Sequence, residues 1–315
     1  MKPPYPALVS EWHNAPYPAI DPSSPALSHA GETVVVTGGG SGIGQATALA
    51  FAAAGATKIV LLGRRDNKLQ ETRDRINEQS PGCAVQTYAV SVTQAKEVKY
   101  VAEKVNRWDV LVLSTGRMIA PKNIQDEDPD KWWDALETNL RGFFVTLHAF
   151  LPSRKTGARV VGVSAGIVNL PAVYPVCQGA SSYVTSKLAQ IRLLEHVAAE
   201  CPDLFVVVVH PGIVATDLMK ESTVDQGENM EKTLLDDGQY IGIAVYEYDC
   251  IADPTQVDLP AGFFVWATTK EAAFLRGKFC YANWDVEQLK ARAKEIQETP
   301  ILTPNILGWP YEVKS

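Results

Sequence analysis

A doubly wound parallel α/β sheet is the fold class that the 315-residue chain predicts. Three observations carry the prediction. Short β-branched runs alternate with helix-length stretches from Thr33 to Val209. Runs such as Val206-Val207-Val208-Val209 are apolar throughout, as in strands covered on both faces. A glycine-rich turn closes the first strand and opens the first helix. With right-handed crossovers, these units stack as three layers, α/β/α.

Residues 1–30 hold Pro3, Pro4, Pro6, Pro16, Pro18, Pro22 and Pro25, a density that excludes regular helix and central strand. They are expected to form an extended arm across the surface or a partner subunit, with residues 31–315 as a single domain. The first strand, Thr33-Val34-Val35-Val36-Thr37, runs into Gly38-Gly39-Gly40-Ser41-Gly42-Ile43-Gly44 and an alanine-rich helix to Ala54. Alone, such a run is a flexible loop. Between strand and helix it points to a dinucleotide site, because backbone N–H groups at the helix N-terminus meet the pyrophosphate where side chains would obstruct it.

The second strand, Lys58 to Leu62, ends in Gly63-Arg64-Arg65. An acid at this strand end would grip a ribose 2′-hydroxyl, whereas cations accommodate a 2′-phosphate, so the reading favours NADP(H) over NAD. The other reading is two solvated arginines opening a helix capped by Asp66. The alternation continues as helix 66–79, strand 84–90, helix 93–106, strand 109–113, helix 130–150, strand 159–164, helix 181–200 and strand 204–209. Gly38, Arg64, Ser91, Gly116, Ser164 and Pro211-Gly212 then share the C-terminal edge of the sheet, where ligands collect. On helix 181–200, Tyr183 and Lys187 are four residues apart and lie on one face. A neighbouring ammonium favours the phenolate, which suits proton transfer.

A net charge of −7 supplies no basic field for nucleic acid or an anionic membrane. No apolar run reaches the roughly 18 residues of a membrane span, and residues 1–20 lack the apolar core of a secretory signal. Cys83, Cys177, Cys201, Cys250 and Cys280 are scattered without metal-ligand spacing. A reduced, cytoplasmic protein is expected, with no metal and with a small molecule or its own copy as partner.

From about Glu32 to Leu218 the chain resembles the short-chain dehydrogenase/reductase family. The glycine turn after Thr37, Thr138-Asn139-Leu140, Tyr183-x-x-x-Lys187 and Pro211-Gly212-Ile213-Val214-Ala215-Thr216 carry the resemblance. Leu275 to Asp285 resembles the tail of extended fungal members. The resemblance implies a Rossmann-type domain in which hydride passes between a nicotinamide and a carbonyl or alcohol. Tyr183 would be the acid or base, Lys187 would hold the nicotinamide ribose and lower the tyrosine pKa, and Asn139 would bind a relay water. Gly38, Ser41, Gly42, Ile43 and Gly44, then Arg64, Arg65, Ser91, Val92, Ser114 and Gly116, would line the cofactor. Pro211, Gly212, Ile213 and Thr216 would meet its nicotinamide end. Helices 130–150 and 181–200 would pair with symmetry mates in a homodimer or homotetramer, their apolar positions including Leu136, Leu140, Phe144 and Leu147.

Three departures from the family pattern stand out. Leu113-Ser114-Thr115-Gly116 lacks the amide side chains that brace the central strands, and Ser91 replaces an adenine-contacting aspartate. Ala165, not Ser164, aligns with the serine that polarises the substrate carbonyl. Strand alternation turns Ser164 to the other face unless a bulge or an early strand end rescues it as a catalytic residue. The longer stretch to Tyr183 offers Tyr174, Gln178 or Ser181 as substitute donors. Residues 217–262 are expected to form the substrate region, with Tyr240, Tyr246, Tyr248, Phe263, Phe264 and Trp266 as pocket walls or core, and residues 285–315 a C-terminal extension. The function expected is an NADPH-dependent ketoreductase for a hydrophobic carbonyl, in secondary metabolism. The alternative is a cofactor-binding isomerase, dehydratase, cyclase or cofactor sensor.

Overall fold

Valine and leucine fill the strands, and Val35, Val60, Leu111, Val161 and Val207 have no exposed surface. The computed structural model of the protein describes residues 7–218 and 255–305. Its strands are β1 (Thr33–Thr37), β2 (Lys58–Gly63), β3 (Ala84–Ala89), β4 (Trp108–Leu113), β5 (Arg154–Val163), β6 (Phe205–His210) and β7 (Lys278–Tyr281). They form one sheet in the order β3-β2-β1-β4-β5-β6-β7, every pair parallel. The chain steps outward from β1 to β3 and returns at β4. The crevice at that reversal, between β1 and β4, is where an open α/β sheet binds its ligand.

Helices α1 (Gly42–Ala53), α2 (Asp66–Gln79), α3 (Ala95–Val105), α4 (Pro129–Leu136), α5 (Gly142–Phe150), α6 (Ser181–Glu200) and α7 (Asp258–Ala267) clothe the sheet. α1 packs against α2 and α7, α3 against α5, and α4 against α6. The short α8 (Val286–Ala291) and α9 (Ala293–Glu298) follow β7.

The structure corrects two expectations, the unbroken helix 130–150 and the Asp66 cap, and decides between others. Helix 130–150 is interrupted by a π-helical turn over Glu137–Arg141, which contains Asn139. Asp66 is the first helical residue of α2, and Arg65 takes the cap position. Phe263, Phe264 and Trp266 are core, since α7 is buried from Leu259 to Ala267. Tyr240, Tyr246 and Tyr248 lie outside the described residues. The arm lies on its own chain: Trp12 bridges to Trp284, and Trp12, Ile20 and Leu27 are buried in the core cluster. No helix among the described residues is long and apolar enough to cross a membrane.

Candidate active site

The glycine turn has the shape its sequence requires. Gly38 and Gly42 have φ of +70° and +52°, where a side chain is strained. A Cβ on Gly44 would lie 2.3 Å from the Gly38 carbonyl oxygen, so the turn closes only with glycine there. Ser41 caps α1 in extended backbone and accepts a hydrogen bond from Arg65 Nη2 at 3.0 Å. Arg65 therefore reaches back from the end of β2 to the glycine turn, and Arg64 is exposed beside it. Thr216 Cγ2 lies 3.1 Å from where a Gly42 Cβ would stand, so the loop after β6 covers the same turn. Ser91 pairs with the Thr93 hydroxyl at 2.9 Å, while Val92 is buried. Ile43 is packed against the core.

Thr37 does the bracing for which the sequence reading found no amide. Its Oγ1 accepts from the backbone N–H of Ser114 at 3.1 Å and of Thr115 at 3.3 Å. That tie holds the end of β4 beside the glycine turn. Gly116 follows, and a Cβ there would stand 3.6 Å from Lys187 Nζ and 4.0 Å from Asn139 Oδ1.

Tyr183, Lys187 and Asn139 thus meet at one place on the C-terminal edge. Lys187 is buried, and its Nζ donates to the Val163 carbonyl at 2.9 Å. It lies 5.7 Å from the centre of the Tyr183 ring. Burial pushes Lys187 down to about 8 and Tyr183 up to about 12. Desolvation is the cause of both shifts, and the ammonium keeps two N–H donors besides the one on Val163.

Asn139 is fully buried. Its Oδ1 accepts from Arg117 N at 2.7 Å, and its Nδ2 donates to Arg117 O at 2.8 Å and Ser186 Oγ at 3.0 Å. Ser186 Oγ in turn donates to the Tyr183 carbonyl at 2.8 Å. The Asn139 carbonyl accepts from the Gln190 side chain. Asn139 is therefore tied to protein groups at both ends, joining the loop after β4 to the first turns of α6.

β5 ends at Val163, and Ser164 is buried with its hydroxyl donating to the Lys187 carbonyl at 3.0 Å. The early strand end does not rescue it: the hydroxyl is turned into α6 and committed there. Ala165 follows in extended backbone with no hydroxyl to offer. Two of the named substitutes, Ser181 and Gln178, stand together in the longer loop's region. Ser181 accepts from Trp132 Nε1 at 3.0 Å. With Gln178, Val184 and Thr185 it lines a cavity of about 750 Å³ beside the first turns of α6.

The loop after β6 completes the edge. Pro211 is buried, Gly212 has φ +86°, and the Ile213 carbonyl accepts from Thr255 N at 2.9 Å. Sequence reasoning missed Thr37, Ser186, Gln190 and Thr255. Each makes a hydrogen bond to a residue far along the chain, and local pattern carries no sign of that.

This glycine-lined turn at a helix start, facing a Tyr–Lys pair across the switch point, defines a nicotinamide-dependent α/β oxidoreductase. Residues 32–227 match the family model described as short chain dehydrogenase, and the chain belongs to the short-chain dehydrogenase/reductase family. It is 30% identical over 297 residues to the short chain dehydrogenase mpl6 of Monascus purpureus, covering 91% of this chain and 92% of that one. It is 29% identical over 302 residues to the short chain dehydrogenase andI of Emericella variicolor, covering 92% and 93%. Its fold matches levodione reductase with a TM-score of 0.68 at 21% identity, covering 81% and 96%. A short chain dehydrogenase of Shigella flexneri, complexed with NADP, matches with a TM-score of 0.66 at 20% identity, covering 82% and 99%.

Proposed function

We propose that this protein is an NADP(H)-dependent reductase of a hydrophobic ketone or aldehyde, able to run in reverse on the alcohol. The meeting of Tyr183 and Lys187 with the glycine turn carries the reading. The turn keeps its shape only with glycine at Gly44, where a Cβ would meet the Gly38 carbonyl, and such a turn at a helix start suits phosphates. NADP(H) is favoured by Arg65 at the glycine turn and by the absence of an acid at the end of β2, Gly63 being followed by Arg64. The NADP complex of the Shigella flexneri relative agrees. Gly38, Ser41, Gly42, Ile43 and Gly44 would hold the pyrophosphate, with Ser91, Val92, Ser114 and Gly116 along the adenosine and ribose. Pro211, Gly212, Ile213 and Thr216 would meet the nicotinamide end. When bound, the nicotinamide supplies or accepts the hydride.

Tyr183 carries its proton at neutral pH, as a phenol does, and would protonate the carbonyl oxygen as hydride arrives. The reverse reaction needs the phenol deprotonated, which the ammonium of Lys187 would favour. Ser164 has its hydroxyl on the Lys187 carbonyl, and its role is to fix that turn of α6. Ala165 favours a second reading, in which the same cofactor site serves a non-redox isomerase, dehydratase or cyclase.

A homodimer or homotetramer in the cytoplasm completes the proposal, with no part for nucleic acid or membrane. It is supported by Trp133 (63% exposed), Phe144 (51%) and Leu188 (43%) on α4, α5 and α6, and a monomer by light scattering would refute it. NADPH and NADH titration, followed by NADPH consumption over a panel of aryl and cyclic ketones, tests the function. Tight NADPH binding with turnover is expected, and substrate conversion without NADPH consumption would establish the non-redox reading.

A further inference from the structure

The tail segment Asn283-Trp284-Asp285 has no part in the chemistry described so far, yet Asn283 is fully buried. Its Nδ2 donates to His13 O at 2.8 Å, Thr255 Oγ1 at 3.0 Å and Asn14 Oδ1 at 3.1 Å. Two N–H bonds thus serve three acceptors. The Asn283 carbonyl accepts from His13 N at 2.8 Å. Asn14 is held by the Trp12 indole N–H on its Oδ1 at 3.0 Å and by Gln256 N on its carbonyl at 2.7 Å. The arm is fastened further by His13 Nε2 against Asp285 Oδ2 at 3.0 Å.

Thr255 carries the connection onward. Its N–H donates to Ile213 O at 2.9 Å, and its Oγ1 stands 2.4 Å from where a Gly212 Cβ would be. At the other end of the same turn, His210 O accepts from Ala282 N at 2.8 Å. The turn over residues 210–213 is therefore pinned at both ends by groups that hang from Asn283 and from the arm. Packing alone does not explain a carboxamide here. Asn283 Oδ1 is buried and has no partner among the described residues, a desolvation cost that an apolar side chain avoids.

We propose that Asn14, Asn283 and Thr255 are positioning residues for the nicotinamide end of the dinucleotide, so that the N-terminal arm is a working part of the cofactor site. The inference rests on the dinucleotide reading above. Its physical basis is preorganisation: a turn fixed beforehand does not lose its freedom on binding.

The test compares two ligands on the full chain, NADPH and 2′-phospho-ADP-ribose, which keeps the adenosine, pyrophosphate and 2′-phosphate but lacks the nicotinamide. Asn14→Ala is expected to weaken NADPH by about five- to tenfold, the size of one net hydrogen bond. Its affinity for 2′-phospho-ADP-ribose should stay within about twofold. Thr255→Val keeps the shape and the backbone bond to Ile213, guards against misfolding of the first variant, and should show the same selective pattern. Equal weakening of both ligands, or of neither, overturns the proposal. A wild-type protein that binds neither ligand overturns the dinucleotide reading itself, and the proposal with it.

Discussion

The two sides of the crevice are built by different means. On the β1–β2 side the surface is backbone: Gly38 and Gly42 adopt positive φ, and a Cβ at Gly44 would strike Gly38 O. On the β5–β6–β7 side the surface is held by side chains that reach across the chain, as Ser164 does to Lys187, Asn139 to Ser186, and Asn283 to the arm 269 residues away. A surface made of backbone imposes glycine at fixed spacing. A surface made of reaching side chains imposes no local pattern, and its geometry can change with one substitution.

Removing the reacting group from the side-chain half should have the largest effect. Tyr183→Phe deletes only the phenolic O–H, so kcat for ketone reduction is expected to fall about 10³-fold, with NADPH affinity within about twofold. Steady-state rates and a fluorescence titration measure the two quantities. Undiminished turnover would place the proton transfer elsewhere.

The backbone half breaks differently. A Cβ at Gly44 would lie 2.3 Å from Gly38 O, whereas one at Gly82 meets nothing within 4 Å. Gly44→Ala should weaken NADPH by about 100-fold or more, since the turn must open to admit the methyl. Gly82→Ala should leave it unchanged. Equal affinities in the two variants would show that the turn does not hold the cofactor.

The same division explains what was legible in the sequence. β1, α2 and α6 appear with the limits that propensity and turn residues indicate, because each is set by its own residues. β7 was missed: Lys278-Phe279-Cys280-Tyr281 is only four residues long and becomes a strand by pairing with β6. α7 was missed because it is buried on all sides and so shows no polar face to mark a helical period. The π turn at Asn139 left no trace in the apolar spacing, which reads as one helix through it. In the site, alternation along β5 sets Ser164 and Ala165 on opposite faces. The hydroxyl's destination, the Lys187 carbonyl, needed the packed structure. Thr37 was read as the end of a strand, and nothing local marks it as a brace for Ser114 and Thr115.

The buried side-chain half also carries an electrostatic cost that bare backbone does not. Lys187 is lowered from 10.5 to about 8 by desolvation. Between those values the unfolded chain holds a proton that the folded chain has released, so stability rises as pH climbs from about 8 to 10.5. Tyr183, raised from 10.0 to about 12, acts oppositely: its contribution is complete below pH 10 and is lost towards 12. Urea unfolding at pH 7.5 and 10 should therefore show the wild type gaining about 2 kcal/mol relative to Lys187→Met. Parallel pH profiles would mean that Lys187 is hydrated in solution.

The smallest expected effect separates the two functional readings. Ala165 has extended backbone, φ −139° and ψ 139°, so a serine fits without strain, and alternation turns it away from the face taken by Ser164. If the site reduces ketones while lacking one polarising donor, Ala165→Ser supplies it. The rate on an unactivated ketone should then rise about tenfold, part of what such a donor contributes where it is native, with NADPH affinity unchanged. A substrate whose carbonyl is already polarised should gain less, because its oxygen needs the donor less. A fall in rate on every carbonyl tested would show that the pocket is shaped around the alanine methyl, and weight would move to the non-redox reading.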